Sequence, residues 1–395
     1  MEEKKDTNIP VREAWVDWLR VTACFMVMVV HSTEPFYLGG DGSLVLTKAD
    51  AFWSAVIDSL VRSCVPLFVI ASSYLQFPLR RSTPDFFRRR AVRVLVPLLV
   101  WTVVYAFTYG HPVDNFKDLL LNFNYSAGHL WFVYMLFGVY LIMPLLSPWA
   151  EKVSRKELLA YLCIWLFTSL IPLFRSWATG DAAPVIYGPS GIPMPALYPV
   201  WGEASWNVYG TFYYVSGFIG YLLLGLYFRR FHKEMSWGRT LAVALPVFLA
   251  GFAVTAGGFY RRVMRSSGGL FPSGGDVSLA VGWETTWGYD TIGVILMAIA
   301  IILCFKKIGS KQKSGCSLLR PVSEASYGMY LIHMLLLPVF SGLLRGWLGF
   351  GPDGVLGFWT TPVEILLTAA VTFVTTAVIA VQVRRIPKVG KVLMG

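Results

Sequence analysis

The stretch Trp15-Val-Asp-Trp-Leu-Arg20-Val-Thr-Ala-Cys-Phe-Met-Val-Met-Val-Val-His31 decides how this chain folds. It places an arginine and a histidine inside an otherwise apolar run. Ionisable groups in hydrocarbon are costly, and they usually face a protein interior, where they mark a pathway or a reaction. Eleven residues separate Arg20 from His31, which is about 16 Å along a helix. This is roughly half of a hydrocarbon core about 30 Å thick, so the two side chains are expected in opposite halves of a bilayer.

The composition of the 395 residues is that of a membrane protein. Hydrophobic residues make up 55% of the chain and charged residues only 14%, whereas soluble domains carry about a quarter charged residues. The net charge of +11 does not indicate nucleic-acid binding, because the basic residues cluster in short loops between apolar runs. The five cysteines show no CxxC or zinc-type spacing, so neither a disulfide framework nor a metal site is predicted.

Ten apolar segments are long enough to span a membrane, which predicts an all-α, polytopic protein with one domain over residues 1–395. They run approximately over residues 15–36, 52–77, 91–109, 129–149, 157–175, 205–228, 240–260, 286–305, 321–345 and 360–383. No A-x-A-like cleavage site follows the first segment, so we interpret it as a retained helix rather than a signal peptide. Two outer connections, 176–204 and 261–285, are long enough to be either functional or disordered.

The distribution of basic residues predicts the orientation. If both termini lie in the cytoplasm, 26 of the 34 Lys and Arg residues fall on the cytoplasmic side. Cytoplasmic loops are enriched in Lys and Arg, so this bias favours cytoplasmic termini. Arg261, Arg262 and Arg265 fall in the second outer loop, where the charge rule does not account for them.

Three histidines are predicted at a shared depth in the outer half of the bilayer. His31 lies past the middle of the first helix, His129 begins the fourth from outside, and His333 lies inside the ninth. A single buried histidine is more often a hydrogen-bonded core residue than a catalyst, but three at one depth favour a function for at least one. A three-histidine metal site is a minor alternative. Glu34, one turn after His31, either orients that imidazole or faces water.

Arginines gather at the opposite, cytoplasmic end. Arg89, Arg90 and Arg93 open the third helix, and the spacings 90/93 and 89/93 each place two of them on one helical face. Guanidinium groups match phosphate oxygens, so these side chains either bind an anionic ligand or only enforce topology. The flanking Val92 and Val94 draw Arg93 into the membrane and favour an anionic ligand for it.

Two acidic residues are spaced to pair with basic ones on the same helix. Asp17 precedes Arg20 by three residues and is expected to neutralise it. Asp58 and Arg62 have an i,i+4 spacing within the second segment, which predicts a structural ion pair.

Five motifs, in this order, resemble those of the membrane acyltransferase-3 family, and within it the surface-polysaccharide O-acetyltransferase branch that acts on enterobacterial common antigen. They are Asp17-Trp-Leu-Arg20 with His31 after ten further residues, Arg62-Ser-Cys-Val-Pro66-Leu-Phe68-Val-Ile-Ala-Ser72-Ser73-Tyr74, Arg90-Ala-Val-Arg93 with Pro97, Gly128-His129-Leu-Trp131-Phe-Val-Tyr134, and Ser326-Tyr327-Gly328-Met-Tyr330-Leu-Ile-His333. The family usually has Gly at the position of Val21 and Ser-Gly-Tyr in place of Ser72-Ser73-Tyr74. Donor and acceptor preferences therefore do not transfer.

The resemblance implies that an acyl group, typically acetyl, moves from cytoplasmic acyl-CoA to a saccharide hydroxyl across a bacterial inner membrane. Arg20 and the arginines Arg89, Arg90 and Arg93 would bind the phosphates and adenine of the donor, and no metal is expected. His31 would act either as a general base for the sugar hydroxyl or as a transient acyl acceptor.

The same resemblance assigns supporting residues around His31. Glu34, His129, Tyr134 and His333 would orient the base or stabilise the oxyanion of the thioester. Trp131 and Tyr330 would contact the saccharide, although interfacial aromatic residues also have a purely structural role.

The main alternative is a transporter or flippase for a saccharide or a lipid-linked intermediate. Such a protein favours inverted repeats and helices broken by Gly or Pro at corresponding positions, and we find neither in the sequence. Acyl transfer to a cytoplasmic acceptor is a second alternative, which the outer-half depth of the histidines disfavours.

Overall fold

The computed structural model describes residues 13–38, 47–108, 112–121, 125–174, 185–187, 193–195, 209–267, 283–309, 319–350 and 355–395. These residues are largely helical. The exception is an antiparallel pair of short strands, β1 (Val185–Tyr187) and β2 (Pro193–Pro195). The remainder of the predicted outer connection 176–204 lies outside the described residues, as does most of 261–285.

The α-helices of the described residues are α1 (Ala14–Thr33), α2 (Lys48–Val61), α3 (Cys64–Gln76), α4 (Thr83–Arg90), α5 (Val96–Thr108), α6 (Pro112–Leu121), α7 (Trp131–Lys152), α8 (Arg155–Thr168), α9 (Ile219–Arg230), α10 (Trp237–Ser267), α11 (Ile292–Gly309), α12 (Leu319–Leu348), α13 (Thr360–Arg384) and α14 (Gly390–Met394). Short 3-10 turns lie at Glu34–Phe36, Tyr125–Leu130, Gly210–Val215, Glu284–Thr286 and Gly357–Trp359, and Ala91–Leu95 is a π-helical turn. Ten helical stretches in the described ranges are long and apolar enough to cross a membrane. The predicted polytopic all-α fold is confirmed.

Helix α1 lies inside the bundle, where it packs against α2, α3, α11, α12 and α13. Leu19, Ala23 and Met28, spread along its length, are fully buried. Because protein surrounds this helix, Arg20 and His31 are connected through the protein interior rather than through lipid.

Both ends of the described chain meet at one end of the bundle. Asp17 near the start of α1 accepts a hydrogen bond from Ser323 of α12, at 2.6 Å. Tyr327, also on α12, donates to the carbonyl of Val94 in the π-helical turn at 2.9 Å. Trp101 of α5 donates to the carbonyl of Leu393 in α14. We call this the basic end, and the end that carries His31 the histidine end.

The second predicted segment, 52–77, is two helices rather than one. Helix α2 ends at Val61 and α3 begins at Cys64. Pro66 explains the break, because it has no N–H to donate to the carbonyl of Arg62, four residues earlier, and its ring collides with that carbonyl. The break leaves Arg62 at a helix end inside the protein.

The third segment begins earlier than predicted and is not uniformly α-helical. Helix α4 starts at Thr83, where the Ser82 hydroxyl accepts a hydrogen bond from the Asp85 N–H. In the π-helical turn the Val96 N–H bonds to the Ala91 carbonyl, five residues earlier. Pro97 again removes a donor from the preceding turn, which accounts for the change in helical pitch.

Arg261, Arg262 and Arg265 lie in a helix rather than in the predicted loop. All three lie in the last turns of α10, which continues to Ser267. Arginine is a good helix former, and no Gly or Pro interrupts the chain between Gly258 and that point. Arg262 is buried and donates to the carbonyl of Gly258.

Small residues set the closest helix contacts, as is common in membranes. A Cβ added at Gly251 of α10 would fall on the carbonyl of Gly293 in α11, so these two backbones touch. Ser73 packs against Gly225 of α9 and donates to the carbonyl of Leu222 at 2.6 Å. The Ser73 hydroxyl is therefore accommodated by a partner on the facing helix.

Candidate active site

Three histidines from three separate stretches of chain lie side by side at the histidine end. The ring centroids are 5.1 Å apart for His31 and His333, 5.1 Å for His129 and His333, and 6.4 Å for His31 and His129. Helix α1 supplies His31, the 3-10 turn before α7 supplies His129, and the middle of α12 supplies His333.

His31 and Glu34 form a hydrogen-bonded pair. His31 Nδ1 lies 2.9 Å from Glu34 Oε1, and both side chains are mostly shielded, with 15% and 27% of their surfaces exposed. An ionised carboxylate only accepts hydrogen bonds, so we assign the proton to Nδ1. The opposite nitrogen, Nε2, then carries a free lone pair, as a general base requires.

The other two histidines are each hydrogen-bonded to Tyr330. His333 is fully buried, and its Nδ1 donates to the carbonyl of Tyr330 at 2.5 Å. The hydroxyl of Tyr330 donates to the carbonyl of His129. Within the described residues, Nε2 of His129 and Nε2 of His333 have no hydrogen-bond partner. Two buried ring nitrogens are thus available beside His31.

A small cavity adjoins the histidine cluster. His31, His129, Trp131, Tyr330, Tyr289 and Cys64 provide its polar and aromatic lining. Val27, Val30, Val65, Phe68 and Phe132 provide the apolar remainder. A concave, mostly apolar space with a few converging polar groups is the usual form of a small-molecule site.

Trp131 and Tyr330, predicted to contact substrate, both line this cavity, whereas Tyr134 does not. The Tyr134 side chain lies on the outer side of α7 and is 40% exposed. It follows the cavity-lining Phe132 by two residues, which is about 200° around an α-helix. The structure therefore does not bring Tyr134 to the cavity, and its catalytic role stays a prediction.

Arg62 is the centre of a second buried cluster beside the histidines, and the predicted Asp58–Arg62 pair is formed. Arg62 Nε lies 2.6 Å from Asp58 Oδ1, and both side chains are buried. Its Nη2 donates to the Tyr37 hydroxyl at 3.3 Å and lies 3.8 Å from Glu284 Oε1. The guanidinium also lies over the Trp287 ring, 4.6 Å from its centroid. Such a network compensates an arginine for lost hydration.

The residues 283–291 were not predicted as part of a site. They fold against the histidine end, and Tyr289 from this stretch lines the cavity. Burial raises the pKa of the Glu284 carboxyl, and the Arg62 guanidinium opposes that shift. Burial also raises the pKa of the Tyr289 hydroxyl well above its usual value, so the Tyr289 side chain stays protonated and neutral. The available signal was the density of aromatic residues in Trp283-Glu-Thr-Thr-Trp-Gly-Tyr289, directly before a span.

At the basic end, Arg20 reaches the neighbouring helix α12. Its Nη2 donates to the Ser326 hydroxyl at 3.1 Å. Asp17, one turn earlier, bonds to Ser323 of the same helix. From Ser326 to His333, α12 rises by about 10 Å, so it connects the two ends of the site in parallel with α1.

The three arginines of the third segment do not share one face. Arg90 is half-buried, and its guanidinium lies 5.2 Å from the Tyr140 ring centroid. Arg89 and Arg93 are exposed from the protein. The prediction of a shared face assumed about 100° per residue, whereas the wider π-helical turn between Ala91 and Leu95 rotates Arg93 away from Arg90.

Metal ligation is not supported by the arrangement of the described side chains. Among them, no group of three or more His, Cys, Asp or Glu residues is placed to hold a metal ion.

The fold and the buried polar site together define a multi-pass membrane protein with a reaction or binding centre among its helices. The model for the acyltransferase domain, acyltransferase-3, matches residues 13–381. The chain belongs to this family, as its five motifs indicated, and it is a membrane acyltransferase. No curated protein and no solved structure matches the chain significantly.

Proposed function

We propose that the protein is an O-acyltransferase that moves an acyl group, typically acetyl, from cytoplasmic acyl-CoA to a hydroxyl of a cell-surface or lipid-linked saccharide. Its place is the bacterial inner membrane, with the basic end and both termini in the cytoplasm. The observation that carries this proposal is the His31–Glu34 pair on a cavity at the histidine end, opposite the basic end that carries Arg20, Arg90 and Arg93.

His31 is the central catalytic group of the proposal. With Nδ1 donating to Glu34, Nε2 is free to remove a proton from a sugar hydroxyl or to attack the thioester carbonyl itself. The Glu34 carboxylate fixes the ring orientation and stabilises the imidazolium that forms when the base is protonated. His129 and His333 lie on the buried side of His31 and place polar ring nitrogens near the reacting carbonyl.

The donor is held from the basic end. Arg20, Arg90 and Arg93 offer guanidinium groups to the phosphates of CoA, and Arg89 adds an exposed charge nearby. The fully extended pantetheine arm then runs along α1 and α12 towards the cavity. Residues 20 and 31 are about 16 Å apart along the helix axis, which a slender flexible arm can cover and a folded nucleotide cannot.

The acceptor approaches the cavity from the histidine end. Trp131 and Tyr330 present aromatic faces in that cavity, and such faces stack on the apolar side of a pyranose ring. Saccharide is therefore the acceptor class that the lining favours over a charged acceptor.

Radiolabelled acetyl-CoA and purified protein in lipid nanodiscs test the proposal. We expect label to appear in a cell-envelope polysaccharide fraction, with alkali-labile linkage as for an O-ester. The His31→Ala variant should bind acetyl-CoA but transfer no label. Absence of both acetyl-CoA binding and turnover in the wild-type protein would overturn the proposal. Saccharide movement across vesicle membranes without acyl transfer would establish the transporter alternative instead.

A further inference from the structure

The residues 283–291, here called the aromatic segment, fold against the histidine end of the bundle. They follow the second outer connection and precede helix α11. Instead of standing away from the bundle, they fold into it next to the end of α1. The contact is direct, because the Tyr37 hydroxyl, three residues after Glu34, donates to Glu284 Oε1 at 2.8 Å.

Electrostatic contacts fasten the first half of the aromatic segment. Arg62 is buried, with Asp58 on one side and Tyr37 and Glu284 on the other. Its guanidinium also lies over the Trp287 ring. An arginine with a planar fork suits several partners at once, so Arg62 joins α2 to the aromatic segment.

Packing contacts fasten the middle of the aromatic segment. Trp287 is buried, and its ring stacks on Phe259 of α10 at 3.6 Å and 4°. Its Nε1 donates to the Ser59 hydroxyl of α2 at 2.8 Å. Thr286 donates to the carbonyl of Thr255, also on α10. The segment is therefore held rigidly between α2 and α10.

The rigid segment places one side chain on the cavity. Tyr289 lines the cavity together with His31, and its ring stacks on Trp131 at 5.4 Å and 28°. The Tyr221 hydroxyl donates to the Tyr289 carbonyl and fixes the backbone at this point. Trp131 and Tyr289 thus form one continuous aromatic wall of the space in which His31 lies.

We propose that Tyr289 is a specificity-determining residue, and that Arg62 and Glu284 are positioning residues for it. The Trp131–Tyr289 wall excludes water from the acyl donor, so that the acyl group passes to a saccharide hydroxyl rather than to water. This inference rests on the proposed acyl transfer. Its physical basis is that the activated acyl carbonyl reacts with whichever hydroxyl group can reach it. Exclusion of water from the cavity therefore prevents hydrolysis of the donor.

The side reaction has a defined course. When water enters the cavity, its oxygen bonds to the acyl carbon while the base takes its proton. The carbon–sulfur bond then breaks, and the CoA thiolate leaves and is protonated. The products are CoA and a carboxylic acid, and no acceptor saccharide is needed to detect them.

The first experiment measures access to the cavity without any catalysis. Cys64 lines the cavity and is buried, so it serves as a reporter once the other four cysteines (Cys24, Cys163, Cys304 and Cys316) are replaced by alanine. The probe is the water-soluble reagent 2-sulfonatoethyl methanethiosulfonate. We expect Tyr289→Ala to raise the rate of Cys64 modification at least tenfold and Glu284→Gln to raise it severalfold. Tyr289→Phe, which keeps the ring, should remain close to wild type.

A matched control removes a tyrosine that is not on the cavity. Tyr214 is 85% exposed, and Tyr214→Ala should leave the rate of Cys64 modification within about twofold of wild type. Size-exclusion profiles and thermal unfolding of each variant show whether it is folded. If Tyr289→Ala and Glu284→Gln are folded and Cys64 reacts at the wild-type rate in both, the proposed wall is refuted.

The second experiment measures acetyl-CoA hydrolysis by the same variants with no acceptor present. We expect Tyr289→Ala to hydrolyse acetyl-CoA about tenfold faster than wild type, and the added His31→Ala change to remove that gain. Faster Cys64 modification without any His31-dependent hydrolysis would refute the proposed function while leaving the wall in place. If Cys64 modification is unchanged in the variants while wild type shows His31-dependent hydrolysis, the wall is refuted and the proposed function is retained.

Discussion

The change Glu34→Gln tests the hydrogen-bonded pair on which the proposed chemistry depends. It keeps the size of the side chain and removes its charge. In the structure, Glu34 Oε1 lies 2.9 Å from His31 Nδ1. A hydrogen bond to a charged group contributes about 1.5 to 3 kcal/mol, and that charge acts mainly when the imidazolium forms in the transition state. Since about 1.4 kcal/mol is a factor of ten in rate, kcat should fall about 10- to 150-fold.

The assay is acyl transfer from radiolabelled acetyl-CoA by protein in nanodiscs, measured across a range of pH. We expect a lower kcat with a shifted pH optimum, and little change in KM for acetyl-CoA, because the donor's phosphates bind at the far end. Glu324→Gln is a matched control, since Glu324 pairs with the exposed Arg320 at the basic end. Unchanged kcat and an unchanged pH profile in Glu34→Gln would refute the orienting role of Glu34.

Three further substitutions, with Glu324→Ala as the control for the third, give distinct outcomes. His31→Ala should abolish acyl transfer while acetyl-CoA binding, measured by calorimetry, is preserved, and residual turnover would remove His31 from the mechanism. Arg93→Ala should weaken CoA binding about tenfold, as expected for the loss of one charge-assisted contact to phosphate, and an unchanged calorimetric Kd would contradict this. Asp58→Ala removes the nearer of the two carboxylates that pair with the buried Arg62 and leaves only Glu284, at 3.8 Å; it should lower the free energy of unfolding by about 3 kcal/mol, the lower end of the range for breaking a buried pair. Glu324→Ala, in an exposed pair, should lower the free energy of unfolding by less than about 1 kcal/mol. Equal Tm values for these two variants would refute the larger contribution of the buried Asp58–Arg62 pair to stability.

The sequence predicted the spans well, because each one needs a long apolar run and basic residues gather at its ends. It predicted helix interruptions poorly. Pro66 breaks the second segment and Pro97 is accompanied by a π-helical turn, whereas Pro246 and Pro338 lie inside continuous helices. A proline removes one donor in every case, and tertiary packing decides whether the helix bends, widens or stops.

The candidate site was predicted where helical spacing and depth determine the contacts. His31, His129 and His333 meet because side chains that face the interior of a narrow bundle at one depth share the same small cross-section. Tyr134 does not line the cavity, because a motif fixes the order of its residues but not the face of the helix that meets the cavity. Tyr289 was missed because its place depends on contacts of Arg62 with Glu284 and Trp287, which join parts of the chain more than 200 residues apart.

A structure with a non-reactive acyl-CoA analogue, in which a ketone replaces the thioester, would test the central claim most directly. We expect the carbonyl carbon to lie about 3 to 3.5 Å from His31 Nε2, with the phosphates beside Arg20, Arg90 and Arg93. An analogue bound away from the cavity, or an imidazole in contact with lipid and closed off from the analogue, would contradict it.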